Sequence, residues 1–142
     1  PAQPNLRPGA ATWTTDGTLC APSFPGLTDA ERAAGYTFVT LWPTAYVVAH
    51  VDYVRSVRIE PLAPERTRLT VEWHFAPEAL PKLDPAAVAA FAITVLEQDG
   101  AAAEMNQRGM RSPIFTAARL MPEEYEIHNF HRWILSEMED RP

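Results

Sequence analysis

From Arg66 to Phe75 the chain alternates, with Leu69, Val71, Trp73 and Phe75 on one side and Arg68, Thr70, Glu72 and His74 on the other. A period of two is that of an antiparallel strand with one face buried. Upstream, Tyr36 to Trp42 and Ala45 to His50 are β-rich runs joined by a tight connection at Pro43-Thr44. Tyr53 to Glu60 reads as another strand, closed by a turn over the two prolines of PLAPER, Pro61 to Arg66. After Pro77 and Pro81 the period changes to that of a helix. Asp84 is placed to cap it and Pro85 to open it. The helix runs to about Arg108, with Gly109 as its natural stop. A closing helix is expected from Pro122 to about Glu139, with Ile127, Phe130, Ile134 and Met138 as its apolar stripe. The pattern predicts an α+β fold in which a curved antiparallel sheet grips a long helix. It divides as a loop-rich lead-in (1–35), strands (36–76), the long helix (84–108) and the closing helix (122–139). Within the lead-in, Thr28-Asp29-Ala30-Glu31 has the form of a capped helical turn.

The long helix carries an anomaly. At about 100° per residue, Val88, Phe91, Ala92, Val95, Ala102, Ala103 and Asn106 share one face, and Asp99 falls near its centre. Glu97, Glu104 and Arg108 fall opposite, where Glu104 and Arg108 can pair at i,i+4. The neighbours of Asp99 one turn away, Val95, Leu96, Ala102 and Ala103, offer no charged hydrogen bond. A carboxylate on a buried face must be paired, neutralised or bound to a metal. Arg55, Arg58 or Arg68 can reach it from the sheet, it can act as a general acid or base in a cavity, or it can hold a metal. Spacing leaves all three open.

Composition narrows the partners. The chain has 142 residues, 46% hydrophobic and 21% charged, the balance of one globular domain. A net charge of −6 disfavours nucleic acid and anionic membranes. No apolar run approaches the roughly 20 residues of a membrane span. No signal-peptide pattern is present. The single cysteine, Cys20, excludes an internal disulfide and a thiolate metal site, and a reducing, cytoplasmic setting is the expectation.

The histidines add little by spacing. His128 and His131 lie at i,i+3 on the closing helix, but only His131 shares its apolar stripe, so packing is the simpler role. His74 sits on the polar face of its strand. His50 ends a strand beside Val51-Asp52-Tyr53 and can face a cavity. Trp42, Trp73 and Phe91 read as core. There is no phosphate loop and no GxSxG nucleophile elbow.

Four stretches together carry a family likeness: PSFPGLTDAERAAGYTFVTLWPTAYVVAHVDYV from Pro22, SVRIEPLAPERTRLTVEWHF from Ser56, LEQD followed by EMNQRGMRS from Leu96, and LMPEEYEIHNFHRWI from Leu120. In order and spacing, over about Gly17 to Met138, the chain resembles the C-terminal half of the catalytic domain of a Rieske non-haem iron oxygenase alpha subunit. That resemblance implies a helix-grip, START-like fold and a mononuclear Fe(II) held by two histidines and a carboxylate, with open positions for dioxygen. The family's carboxylate lies in a Glu-Gln-Asp motif followed by Gln-x-Gly, which Asp99 matches, with Gln107-Arg108-Gly109 downstream. Helix facing then makes Phe91, Ala92 and Val95, with His50, candidate substrate contacts. Gln98 and Asn106 become candidates to support the metal ligand.

The resemblance further implies a small organic substrate, electrons from a reductase or ferredoxin, and a homo-oligomer, a trimer. The family's histidine pair lies upstream, and nothing before Gly17 supplies it. The Cys-x-His and Cys-x-x-His ligands of a [2Fe–2S] Rieske cluster are likewise expected only in a preceding N-terminal domain. On this reading the chain is a C-terminal portion incomplete at its N-terminus, inactive alone, from an enzyme that hydroxylates or demethylates its substrate. A reading of a different class is a non-catalytic helix-grip module that binds an apolar ligand or a partner subunit, with Asp99 in a salt bridge. The reading frame upstream of Pro1 separates the two: Rieske and histidine motifs support the enzyme, a start codon near Pro1 the module.

Overall fold

The computed structural model describes residues Leu6 to Glu139. The chain parts into two compact units, 1–99 and 100–142. The first holds four antiparallel strands, β1 (Tyr36–Leu41), β2 (Ala45–His50), β3 (Val54–Ala63) and β4 (Arg66–His74), in the spatial order of the chain. With its helices it is the α+β arrangement expected of a helix-grip domain. A short helix, α1 (Asp29–Ala34), precedes β1. The capped turn forms as the sequence suggests: Thr28 Oγ1 accepts from Glu31 N–H at 3.2 Å, and Thr28 N–H donates to Glu31 Oε2 at 2.7 Å. Gly35 ends α1 with φ 79°, and a Cβ there would meet Leu6 Cδ1 at 2.5 Å, so only glycine fits both the turn and the packing.

Strand pairing fixes which residues face inward. Tyr36 opposes His50, Phe38 opposes Val48 and Thr40 opposes Tyr46. Val48 then opposes Arg55, which opposes Trp73, and Tyr46 opposes Val57, which opposes Val71. Val48, Val57 and Tyr53 on this face are nearly sealed from solvent. The alternation read for β4 therefore has the correct phase, but its burial is partial. Val71 and Trp73 are half-buried and Leu69 is exposed, because β4 is an edge of the described sheet. Trp42 is exposed as well, against its expected place in the core.

The proposed turn over Pro61–Arg66 is too long. β3 continues through Pro61 to Ala63, with a register shift there, and only Pro64 and Glu65 turn. The β2 pairing of β3 ends at Arg58. Beyond it one side of β3 is open, and a residue without an N–H is tolerated there beside a bulge.

Helix α2 spans Pro85–Met110. Asp84 caps it, its Oδ1 accepting from Ala86 N–H at 3.0 Å and Ala87 N–H at 3.4 Å. Gly109 does not stop it: no positive φ occurs there, and the helix passes through Gly100 and Gly109. Pro113 follows three residues after the last helical one, and its restriction of the preceding residue is the physical stop. Val88 and Ala92 are buried. Phe91 and Val95 are half-buried, and from Glu97 onward every residue of α2 is exposed. By length and composition alone α2 could cross a membrane, although it carries the charges of Glu97, Asp99, Glu104 and Arg108.

The second unit holds the end of α2, a 3₁₀ turn at Pro122–Glu124 and α3 (Tyr125–Glu139), as the sequence predicts. Its half-buried side is Phe130, Trp133 and Ile134, with the first two rings 6.0 Å apart. Ile127 and Met138 are exposed, so the expected stripe is only half right, and His131 is exposed where packing was expected.

Candidate metal and substrate site

The inner sheet face is covered by the lead-in. Asp52, fully buried between β2 and β3, accepts from Thr12 Oγ1 at 2.6 Å, from Cys20 N–H at 2.9 Å and from Cys20 Sγ at 3.3 Å. Tyr53 Oη donates to the Trp13 carbonyl at 3.0 Å. These bonds hold the Trp13 ring against both sheet and helix. It meets the Phe91 ring edge-on at 4.9 Å, lies 6.3 Å from the His50 ring, and carries the Arg55 guanidinium 4.1 Å from its centroid. The long helix thus meets the sheet through Trp13, where sequence reasoning had it packing directly. An isolated tryptophan among threonines, in a stretch without period, was the available signal.

His50 and Phe91, both singled out from the sequence, are brought together by contact with this ring. His50 is 4% exposed, packed by Trp13, Tyr36 and Tyr53, and neither ring nitrogen has a protein partner. Burial, reinforced by the Arg55 charge and opposed by Asp52, lowers its pKa to about 4, so it is neutral at pH 7. It borders a hollow of about 190 Å³ with Phe24, Leu27 and Val54. Phe91 borders another of about 220 Å³ with Thr12, Trp13 and Tyr36. Ala92 is packed away and Val95 is half-buried.

Asp99 lies on the same stripe as Val88 and Ala92, one turn past Val95, but it is exposed. Its charge is felt at Tyr46 on the inner sheet face, whose phenol pKa is raised by burial, lowered by Arg55 and raised further by Asp99. The carboxylate is open to solvent, where its place on the helix stripe led to the expectation of burial. No salt bridge links it to the three arginines considered. Arg68 pairs with Glu60 at 3.7 Å, Arg55 lies over Trp13, and Arg58 is exposed. Gln98 and Asn106 are exposed and make no side-chain hydrogen bond to a described residue.

Iron of the two-histidine, one-carboxylate type needs three protein donors on one side. No group of three His, Cys, Asp or Glu able to hold a metal occurs among the described residues. The described residues therefore do not make up a whole site of that kind. His74 is engaged with Ser56 Oγ at 2.8 Å, and His128 and His131 lie exposed on α3.

The family model for the catalytic domain of the ring-hydroxylating alpha subunit matches residues 2–140. The chain belongs to that family. The match begins upstream of Gly17 and so includes the stretch that carries Thr12 and Trp13. The chain is also similar to a choline monooxygenase, chloroplastic, of Spinacia oleracea, 29% identical over 103 residues. That match covers 71% of this chain but 23% of the relative, so the chain spans about a quarter of the protein it resembles.

Proposed function

We propose that this chain forms part of the iron-bearing catalytic domain of an oxygenase that hydroxylates or demethylates a small organic substrate, and that Asp99 is its contribution to the iron. What supports this is membership of the ring-hydroxylating family together with the Asp99 carboxylate, exposed and unpaired among the described residues, on the stripe that also buries Val88 and Ala92. An unpaired carboxylate is a hard oxygen donor left available, and membership of the ring-hydroxylating family supports iron as its ion. When bound, iron supplies dioxygen activation. The residues of this chain hold it, line the substrate space through Phe91, Val95 and Trp13, and limit water there.

The same reading entails two further donors, a [2Fe–2S] cluster and a reductase or ferredoxin, all outside these 142 residues, and a trimeric assembly. Similarity to a choline monooxygenase favours a small substrate without fused rings. The test is Asp99→Ala in the alpha subunit expressed from its full reading frame. Mononuclear iron and product formation are expected to be lost while the Rieske cluster spectrum is unchanged. Stoichiometric mononuclear iron with normal turnover in that variant would remove Asp99 from the site.

A further inference from the structure

Between α2 and the 3₁₀ turn, Phe115 N–H donates to the Ser112 carbonyl at 2.9 Å and closes a tight turn with Pro113 and Ile114 at its tip. Ile114 is 88% exposed, the most of any large apolar side chain among the described residues, and Phe115 beside it is exposed too. Turn tips ordinarily carry Gly, Asn or Asp, which suit the bend. A branched apolar side chain gains nothing there from its own chain. From Arg108 to Met121 the segment carries Arg108, Arg111 and Arg119 and no acid. A hollow of opposite character lies between the end of β4 and the start of α2. It measures about 330 Å³ and is walled by Val71, Trp73, Phe75, Leu80, Leu83 and Val88. Leu80 is 57% exposed, and Trp73, Phe75 and Leu83 are half-buried, so these apolar walls stand open. The chain that forms it, 71–85, carries Glu72, Glu78 and Asp84 against a single Lys82.

We propose that the Ile114–Phe115 tip of one copy of this chain seats in the hollow between Trp73 and Val88 of a second copy. A cavity of about 150 Å³ holds a benzene ring, so a hollow of about 330 Å³ takes the Phe115 ring and the Ile114 side chain together. The turn already fixes the tip, so little backbone freedom is lost on docking. The arginines around the tip meet the acidic surround of the hollow, which orients the approach more than it tightens the contact. A side chain as exposed as Ile114 has no seat within its own chain, and a neighbour's hollow supplies one. Tip and hollow are different surfaces, so the contact is heterologous and closes into a ring or runs on as a filament. A ring of three is the assembly that the oxygenase reading entails. The contact rests on that reading for the number three alone and needs no iron.

The test is light scattering behind size-exclusion chromatography on the alpha subunit from its full reading frame, with Ile114→Asp and Leu80→Lys as variants. Both side chains are exposed, so neither change should disturb the fold, which far-UV circular dichroism checks. Each variant alone is expected to lose copies, its dissociation constant raised at least about thirtyfold, as loss of an interface hot spot implies. An equal mixture should recover a two-copy species, because the intact tip of the Leu80→Lys chain fits the intact hollow of the Ile114→Asp chain. A monomeric parent, or an assembly that ignores both changes, would overturn the contact. So would a mixture that recovers nothing, the result expected if like surfaces met or the tip seated in its own chain. A three-copy assembly insensitive to both variants would leave the oxygenase reading intact. A variant-sensitive assembly of another size would remove the trimer and keep the contact.

Discussion

Asp52 accepts a 2.6 Å hydrogen bond from Thr12, forty residues earlier in the chain, and both residues are sealed from solvent. This contact closes the lead-in over the sheet and sets Trp13 between Arg55 and Phe91. Asp52→Ala would leave the Thr12 hydroxyl and the Cys20 N–H without their acceptor. A loss of about 3 kcal/mol is expected from stranding buried donors of a charged acceptor. Thr12→Val should cost about 1–2 kcal/mol, since Cys20 still satisfies the carboxylate. Denaturant unfolding followed by tryptophan emission measures both. A wild-type midpoint for Asp52→Ala would mean that the lead-in is held by something else.

Cys20 is expected to be chemically quiet. Burial, the Asp52 charge and the hydrogen bond to Asp52 push its thiol up to about 12, and the thiolate is the reactive form. Iodoacetamide at pH 8.5 should label it far more slowly in the native chain than after denaturation. Asp52→Asn removes the like charge and should speed native labelling, as read by intact mass. Native labelling at the denatured rate would contradict the burial of this thiol.

The fold is expected to lose stability in mild acid because of His50. Its folded pKa of about 4 lies below the ordinary value of 6.5, so between these pH values the unfolded chain takes up a proton that the folded one refuses. The His50 contribution is complete above about pH 6.5 and falls by up to roughly 1.4 kcal/mol per pH unit toward pH 4, below which it is flat. His50→Phe keeps the aromatic packing and removes two unpartnered nitrogens. That variant should be at least as stable at pH 7 and should show a shallower decline than the parent between pH 6.5 and 4.5. Parallel thermal-unfolding profiles for the two would show that His50 titrates normally.

The 142-residue chain by itself is expected to bind Fe(II) no better than a surface carboxylate does, since no group of three donors able to hold a metal occurs among the described residues. It is also expected to self-associate. β1 is an edge of the described sheet, and Phe38, Val39 and Leu41 on it are about half exposed, which favours edge-to-edge pairing. Val39→Lys should shift the elution toward monomer. Tight 1:1 iron binding by a monodisperse monomer would show that the chain carries a complete site.

What the sequence by itself determined was local. The Thr28 and Asp84 caps, the phase of β4 and the start of α2 depend on residues within a turn or two of one another, and each is found where the pattern places it. The position of Asp99 on the Val88–Ala92 stripe is equally a matter of helical geometry. Its exposure is not, because a stripe is buried only where something covers it, and the cover described here ends near Val95. The reach of β3 through Pro61 was decided by where its β2 partner stops, and the run of α2 through Gly109 by the absence of a left-handed turn there. The phase of Arg55 with Val57 and Ile59 was visible in the sequence. That it is buried over Trp13, with no carboxylate at hand, was decided by Asp52 drawing a segment forty residues away across the sheet. Such a contact joins residues that no local period relates, so only the tertiary structure could supply it.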